Sequence, residues 1–335
     1  MPKKIRKEEK TRGEAPVVDL KDRKILYALD LNGRATNREI ARKVGLSQEV
    51  VAYRIKRLMD EGIIEFFQTV INVARLGYIT FRVYLKLQDI DLKKERELTA
   101  FLIKHKKVWW IAPTDGYWQI DFAVWVRTVY EFDGFWAEMM RLYKPYVQDR
   151  QISIYTELRH YTRAFLVGAK EREASEPEIV GGGETIEYDE VDVKILRILG
   201  PVGRMPLLEI ARKVRTSPKV VAYRMKKLME KGVIQGFKPM INLRALGYQY
   251  FKIDVNLRDY NEVGKFLAFA RSHPNIVYVD RTIGGSDFEC DIQVRSAEEF
   301  EGIMRAMRER FGDVIRDYEY FRVLSELKIV YMPSA

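Results

Sequence analysis

Apolar residues recur along this chain in two alternating rhythms. Residues 19–31 place Ile25, Leu26 and Leu29 on one face, the spacing of a helix packed along one side. Asp19 and Asp22 fall in its first turn, where carboxylates meet the positive end of the helix dipole. A second helix opens at Thr36-Asn37-Arg38-Glu39, a capping-box pattern, and ends near Val44. Gly45-Leu46-Ser47 predicts a tight turn, Ser47 caps a third helix, and Gly62 stops it. In that helix Val51, Ile55 and Leu58 form the buried stripe, which leaves Gln48, Glu49, Ala52, Tyr53 and Lys56 outward. A β-rich stretch follows over 63–72. Short helix, tight turn, longer helix and strand is the order of a winged helix-turn-helix, whose second helix enters the DNA major groove.

After Gly77 the rhythm shortens to two residues. Phe81, Val83 and Leu85 alternate with Arg82, Tyr84 and Lys86, which predicts a strand over 79–87. A helix at 92–105, strands at 108–112 and 118–126, a helix at 131–143 and a strand at 147–156 complete the β-α-β-β-α-β order of a ferredoxin-like module. Both helices cover one face of such a sheet, so the other face, with Arg82, Lys86 and Asp121, must find its own cover.

The whole pattern then returns. A shift of 170 residues aligns 22–78 with 192–248 without a gap, and 30 of the 57 positions are identical. Two repeats of this size make a duplicated two-domain unit, not a solenoid. The second module is predicted at 251–257, 261–272, 276–283, 288–294, 297–310 and 314–324. Its open face carries Lys252, Asp254, Glu289 and Asp291, negative where the first is slightly positive. The two sheets are therefore expected to pair within one chain; pairing of each copy with its own kind in a second chain is the alternative. The predicted class is α+β, with two winged helix-turn-helix domains (18–75, 188–245) alternating with two ferredoxin-like domains (76–168, 246–335). A basic flexible tail (1–17) precedes them, with Lys3, Lys4, Arg6, Lys7 and Lys10, and a charged, glycine-containing linker (169–187) separates the copies.

The copies differ where they are expected to read DNA. Gly45-Leu46 becomes Arg215-Thr216, so the second turn lacks its glycine, and Gln48-Glu49 becomes Pro218-Lys219. Ala222, Tyr223 and Lys226 repeat Ala52, Tyr53 and Lys56. Between 47 and 61 three cations balance three acids, whereas between 217 and 231 five cations face one acid. The second helix, with Lys219, Lys226 and Lys227, should contribute more salt-dependent phosphate attraction. Gln48 is better placed to read a base edge. Arg54 and Arg224 are expected to contact phosphate or brace the fold.

Composition supports a nucleic-acid partner. In 335 residues, 58 Lys and Arg against 48 Asp and Glu leave a net charge of +10, which favours a polyanion. No apolar run suits a spanning helix, so no membrane partner is expected, and the charged N-terminus does not read as a secretory signal. One cysteine (Cys290) and three scattered histidines (His105, His160, His273) suit neither a disulfide framework nor a metal centre, and no cofactor is expected. These features predict a cytoplasmic, nucleoid-associated protein.

Asp22 with Ile25-Leu26, Ile40-Ala41, Leu46-Ser47, Arg54, Leu58, Gly62-Ile63-Ile64 and the Leu76-Gly77-Tyr78 junction resemble the Lrp/AsnC (feast/famine) family of transcriptional regulators. The resemblance covers nearly the whole chain, twice. It implies dimers or higher oligomers with paired DNA-binding heads and an amino-acid-type effector near a Gly-x-x-Asp turn; a homo-oligomer and the basal transcription machinery are candidate partners. The second copy keeps that turn as Gly284-Gly285-Ser286-Asp287; the first reads Gly116-Tyr117-Trp118-Gln119 and loses the acid. All five tryptophans lie in the first module, as core or interface more readily than as a ligand pocket. A rival reading is an enzyme, because sirohaem decarboxylases resemble the same family. It would need titratable groups such as a histidine in the module's second strand, where Val108-Trp109-Trp110-Ile111 and Ile276-Val277-Tyr278-Val279 have none. A third reading is a transcription adaptor that binds protein partners. The reading adopted is a DNA-binding regulator, not an enzyme.

Overall fold

The computed structural model describes residues 17–173, 176–330 and 332–333. The cationic residues expected in the N-terminal tail lie outside these.

The first head is built on side-chain caps at all three helix starts. Helix α1 (Leu20–Leu31) starts at Asp19, whose side chain accepts from the Asp22 N–H while Asp22 accepts from the Asp19 N–H. Thr36 and Glu39 close the same reciprocal box on α2 (Asn37–Val44). Gly45 turns left-handed (φ 66°), and Ser47 caps α3 (Gln48–Asp60). Strand β1 (Ile64–Ile71) follows.

The first module runs β2 (Ile79–Leu87), α4 (Leu92–Lys104), β3 (Val108–Asp115), β4 (Ile120–Val126), α5 (Val129–Tyr143) and β5 (Val147–His160). A short strand β6 (Glu178–Val180) lies between the copies. The second head comprises α6 (Glu190–Leu199), α7 (Leu207–Val214), α8 (Pro218–Glu230) and β7 (Ile234–Ile241). The second module comprises β8 (Gln249–Leu257), α9 (Val263–Ser272), β9 (Ile276–Ile283), β10 (Phe288–Val294), α10 (Ala297–Phe311) and β11 (Ile315–Val323), with β12 (Lys328–Ile329) last. Among the described residues no helix is long and apolar enough to cross a membrane.

Three features differ from the local pattern. First, β1 finds no partner inside its own head; it pairs antiparallel with β7 of the other copy, from Ile64 opposite Ile241 to Ile71 opposite Ile234. Second, the turn without glycine keeps the same shape, with Arg215 itself held at φ 56°. Arginine tolerates that conformation less well than glycine, and the pull of the α7–α8 packing overrides the preference. Third, the stretch joining the copies is docked. Glu178–Val180 pairs with the end of β5. Arg172, buried, donates to the carbonyls of Thr162, Ala270, Arg271 and Ile276.

The sheets of the two modules join into one. Strand order β11-β8-β10-β9-β5-β2-β4-β3 closes on itself through β3–β11, and β6 and β12 extend it at the edges. The seam β5–β9 runs from Ile154 opposite Ile283 to His160 opposite Tyr278, which is why β5 continues past residue 156. The opposite seam pairs Arg322 with Asp115 and Val323 with Thr114. Helices cover the outside over two apolar cores, and the once-open faces meet inside.

That inner layer is charged. Arg82 (1% exposed) of the first module is paired with Glu289 and, at 3.2 Å, with Asp280 of the second. Lys252 sits 2.5 Å from Asp280 and 3.0 Å from Asp291. Asp121 and Asp254 complete the layer, and among the described residues both oxygens of Asp254 and one of Asp121 have no hydrogen-bond partner. Two cations thus share a dry space with five carboxylates. Of the charged face residues, Lys86 alone stays at the margin, 4.1 Å over the Tyr117 ring. Trp118 packs with Tyr84 and Phe321 across the same interface, and Trp109 stacks on Trp125 against the second head. These three tryptophans therefore serve packing.

Removing one partner of a buried ion pair strands the other, at about 3–5 kcal/mol. Arg82→Ala should lose about that much stability in denaturant unfolding, because Glu289 is left without its main counter-ion. Burial pushes the Asp121 carboxyl up to about 8, partly offset by Arg82 and Lys252. An acid whose folded pKa is raised binds its proton more tightly in the folded state, so ionisation costs stability as pH rises. Between pH about 4 and about 8, wild-type stability should therefore fall relative to that of Asp121→Asn. A constant difference across that range would contradict it.

Candidate nucleic-acid interface

The outward face of each third helix is what the apolar stripe leaves free. Val51, Ile55 and Leu58 are buried under α3, and Val221, Met225 and Leu228 under α8. Gln48, Glu49, Ala52, Tyr53 and Lys56 are exposed on the first, and Lys219, Ala222, Tyr223, Lys226 and Lys227 on the second. Tyr53 and Tyr223 show 68% and 61% of their surface, and the Lys227 ammonium lies 5.9 Å from the Tyr223 ring. Lys56 and Asp60 pair along α3, whereas on α8 Lys226 and Lys227 share the single acid Glu230, at 3.8 and 3.2 Å. The second face is the more positive.

Arg54 and Arg224 are drawn inward. Arg54 Nη1 lies 2.8 Å from Asp19 and 2.9 Å from Asp22, tying α3 to the first turn of α1. Arg224 repeats this with Asp189 and Asp192 at 2.7 and 3.0 Å. The Asp22 N–H and the Arg54 guanidinium hold the Asp19 carboxyl down to about 2. Both arginines lie where they brace the head, with their charge largely spent on the capping box.

The heads are held to each other as well as to their modules. Beside the β1–β7 pair, Arg34 donates to the carbonyls of Gly203 and Met205, and Arg204 donates to that of Ala35. Gly33 fits against the Phe237 carbonyl, with a 2.6 Å hydrogen bond from its N–H, and a side chain there would collide with that backbone. Asp30, fully buried, binds Arg163 at 2.7 Å, and Lys238 donates to the Asp30 carbonyl. None of these cross-copy contacts could be read from the sequence, although Arg34 and Arg204 are a matching pair in the repeat.

The Gly284–Asp287 turn is spatially separate, at the β9–β10 connection. Gly284 is left-handed (φ 83°), and Gly285 packs against Thr282 and Glu289 with no room for a side chain. The Asp287 carboxylate accepts from the Leu257 N–H at 2.7 Å, so it ties two strand ends together. His105 and His273 cap the ends of α4 and α9, and each accepts a backbone N–H two residues on. Burial lowers His160 to about 3 and His273 to about 4.

The bracing role separates two kinds of variant. Arg54→Ala should lower the melting temperature, by the loss of about 1–3 kcal/mol, because the tie from α3 to Asp19 is lost and buried Asp22 keeps only Arg57 as counter-ion. Tyr53→Ala, one residue away but exposed, should change stability by less than about 0.5 kcal/mol. Equal effects on melting would contradict this assignment.

Comparison with known proteins agrees with this geometry. Residues 18–65 and 188–235 both match the family model described as winged helix-turn-helix DNA-binding. The HTH-type transcriptional regulator FL11 of Pyrococcus horikoshii is 34% identical over 122 residues, 36% of this chain and 79% of that protein. In structure, the siroheme decarboxylase NirDL covers 93% of this chain and 94% of its own at 14% identity, with a TM-score of 0.61, a likeness of fold. Escherichia coli AsnC aligns over 42% of this chain and 92% of its own, at 24% identity and a TM-score of 0.36. On its duplicated heads and its regulator relatives, this chain belongs to the Lrp/AsnC family of transcriptional regulators.

Proposed function

We propose that one polypeptide does here what two identical subunits do elsewhere: it holds two DNA-reading helices, α3 and α8, in one fixed frame. The observation that carries this is the pairing of β1 with β7 directly behind the two helices. It fixes their separation and leaves both polar faces exposed. The chain is a DNA-binding transcriptional regulator whose heads differ chemically. Gln48, Glu49, Ala52, Tyr53 and Lys56 form one reading face; Lys219, Ala222, Tyr223, Lys226 and Lys227 form the other. Arg54 and Arg224 position these faces through their capping acids. The preferred site is therefore two unlike half-sites at a constant spacing.

An amino-acid-type effector at the Gly284–Asp287 turn is part of this reading, supported by the retained Asp287; homo-oligomerisation and contact with transcription proteins extend it. The enzyme reading is set aside. The NirDL likeness concerns fold alone, and the described histidines are engaged at helix ends or buried among strands. Function lives in sites, not in folds.

Selection of bound genomic fragments at near-physiological salt tests this directly. The expected result is an asymmetric motif, one half lost in Tyr53→Ala/Lys56→Ala and the other in Tyr223→Ala/Lys226→Ala. Each lysine removed from α8 should also flatten the salt dependence of binding by about one unit of log–log slope. No enrichment over random fragments would end the regulator reading.

A further inference from the structure

The internal repeat supplies its own control for a groove between the first head and the second module. The groove, about 290 Å³, is lined by Leu20, Arg23, Phe165, Tyr248, Arg295 and Glu299, together with residues 166–168. Its counterpart on the other side of the molecule involves Tyr78 and Arg127, which the repeat matches to Tyr248 and Arg295. There the Arg127 guanidinium lies 4.3 Å over the Tyr78 ring and donates to the Tyr188 hydroxyl at 3.0 Å. Tyr188 in turn donates to the Leu76 carbonyl at 3.1 Å and packs on the core of the second head.

On the groove side the same frame stands without its phenol. Arg295 lies 5.0 Å over Tyr248. The residue matching Tyr188 is Val18. Among the described residues, neither Arg295 nor Arg23 has a side-chain hydrogen bond or ion pair. Glu299, the acid on the wall, is already engaged: it accepts from the Arg295 N–H at 2.7 Å and from the Asn275 amide at 3.0 Å. The wall thus combines an aromatic and aliphatic lining with two cations that lack an anion. Arg23 is matched by Val193 in the second copy, so the extra cation belongs to the open side alone.

We propose that this groove binds a small aromatic acid. The ring occupies the place that Tyr188 takes on the opposite side, and the anionic group pairs with Arg295 and Arg23. The site joins α1 to the start of β8 and to α10, so an occupant bridges a DNA-reading head and a sheet module. Its existence does not depend on what the heads read.

The test uses the full chain and 4-hydroxyphenylacetate, followed by calorimetric titration, with 4-hydroxybenzyl alcohol as the uncharged control. Saturable binding at one site per chain is expected, with the alcohol at least about tenfold weaker. Val18→Tyr, in which the chain fills its own groove, should weaken binding at least about tenfold with melting temperature held or raised. Arg295→Gln should do the same by removing the charge, and it decides the matter if Val18→Tyr fails to fold. Tyr53→Ala/Lys56→Ala should bind the acid like wild type, which separates this site from DNA reading. No saturable heat below about 10 mM, or undiminished binding by both Val18→Tyr and Arg295→Gln, would overturn the proposal.

Discussion

Arg82 is the residue around which the two halves are organised. Its guanidinium leaves a strand of the first module and ends between two carboxylates of the second, with almost no water contact. A buried charge is tolerable only where opposite charge meets it, so this contact dictates which face meets which. Four of the five acids in the layer, Asp254, Asp280, Glu289 and Asp291, come from the second copy, and Asp121 is the first copy's own. Two second modules facing each other would gather eight such carboxylates around two lysines. That mismatch is a physical reason for the copies to be partners in one chain, beyond their covalent tether.

The closed sheet then determines what the heads can do. Once β5 pairs with β9 and β3 with β11, the segments leaving the modules approach each other, and β1 meets β7. Reciprocal arginine-to-carbonyl contacts lock this strand pair from both sides. The reading helices lie outside that frame, and their braces, Arg54 and Arg224, act inside each head. Neighbouring residues of the same helix are thereby used differently: Arg54 turns in to brace the head, and Tyr53 turns out, exposed.

Duplication has also let the copies diverge around a shared scaffold. The left-handed turn survives the loss of its glycine because packing on both flanks demands it, and Arg215 bears the strain. Tyr188 seals one head–module junction, while at the other Val18 stands in its place and, among the described residues, Arg23 and Arg295 make no side-chain hydrogen bond or ion pair. Pro218 and Lys219 replace Gln48 and Glu49 at the start of the helix, and the Ser cap and the helix stay the same.

Much of this was legible in the residues themselves. The capping box at Thr36, the first-turn acids Asp19 and Asp22, the stripe Val51–Ile55–Leu58 and the alternation Phe81–Leu85 each act over a few residues, so local chemistry settles them. The exposed candidates on α3 and α8 follow from the same stripe. What the sequence could not settle lies in contacts more than a hundred residues apart. A strand shows its two faces but not its neighbour, so β1 read as part of a local wing until β7 supplied its hydrogen bonds. The opposite charges of the two open faces hinted at their pairing. Only the folded chain shows that Arg82 reaches Glu289, that Asp254 has no hydrogen-bond partner among the described residues, and that Tyr188 seals one of the two matching junctions. Backbone hydrogen bonds and buried charges are satisfied by whichever segment returns to meet them, and the tertiary fold makes that choice.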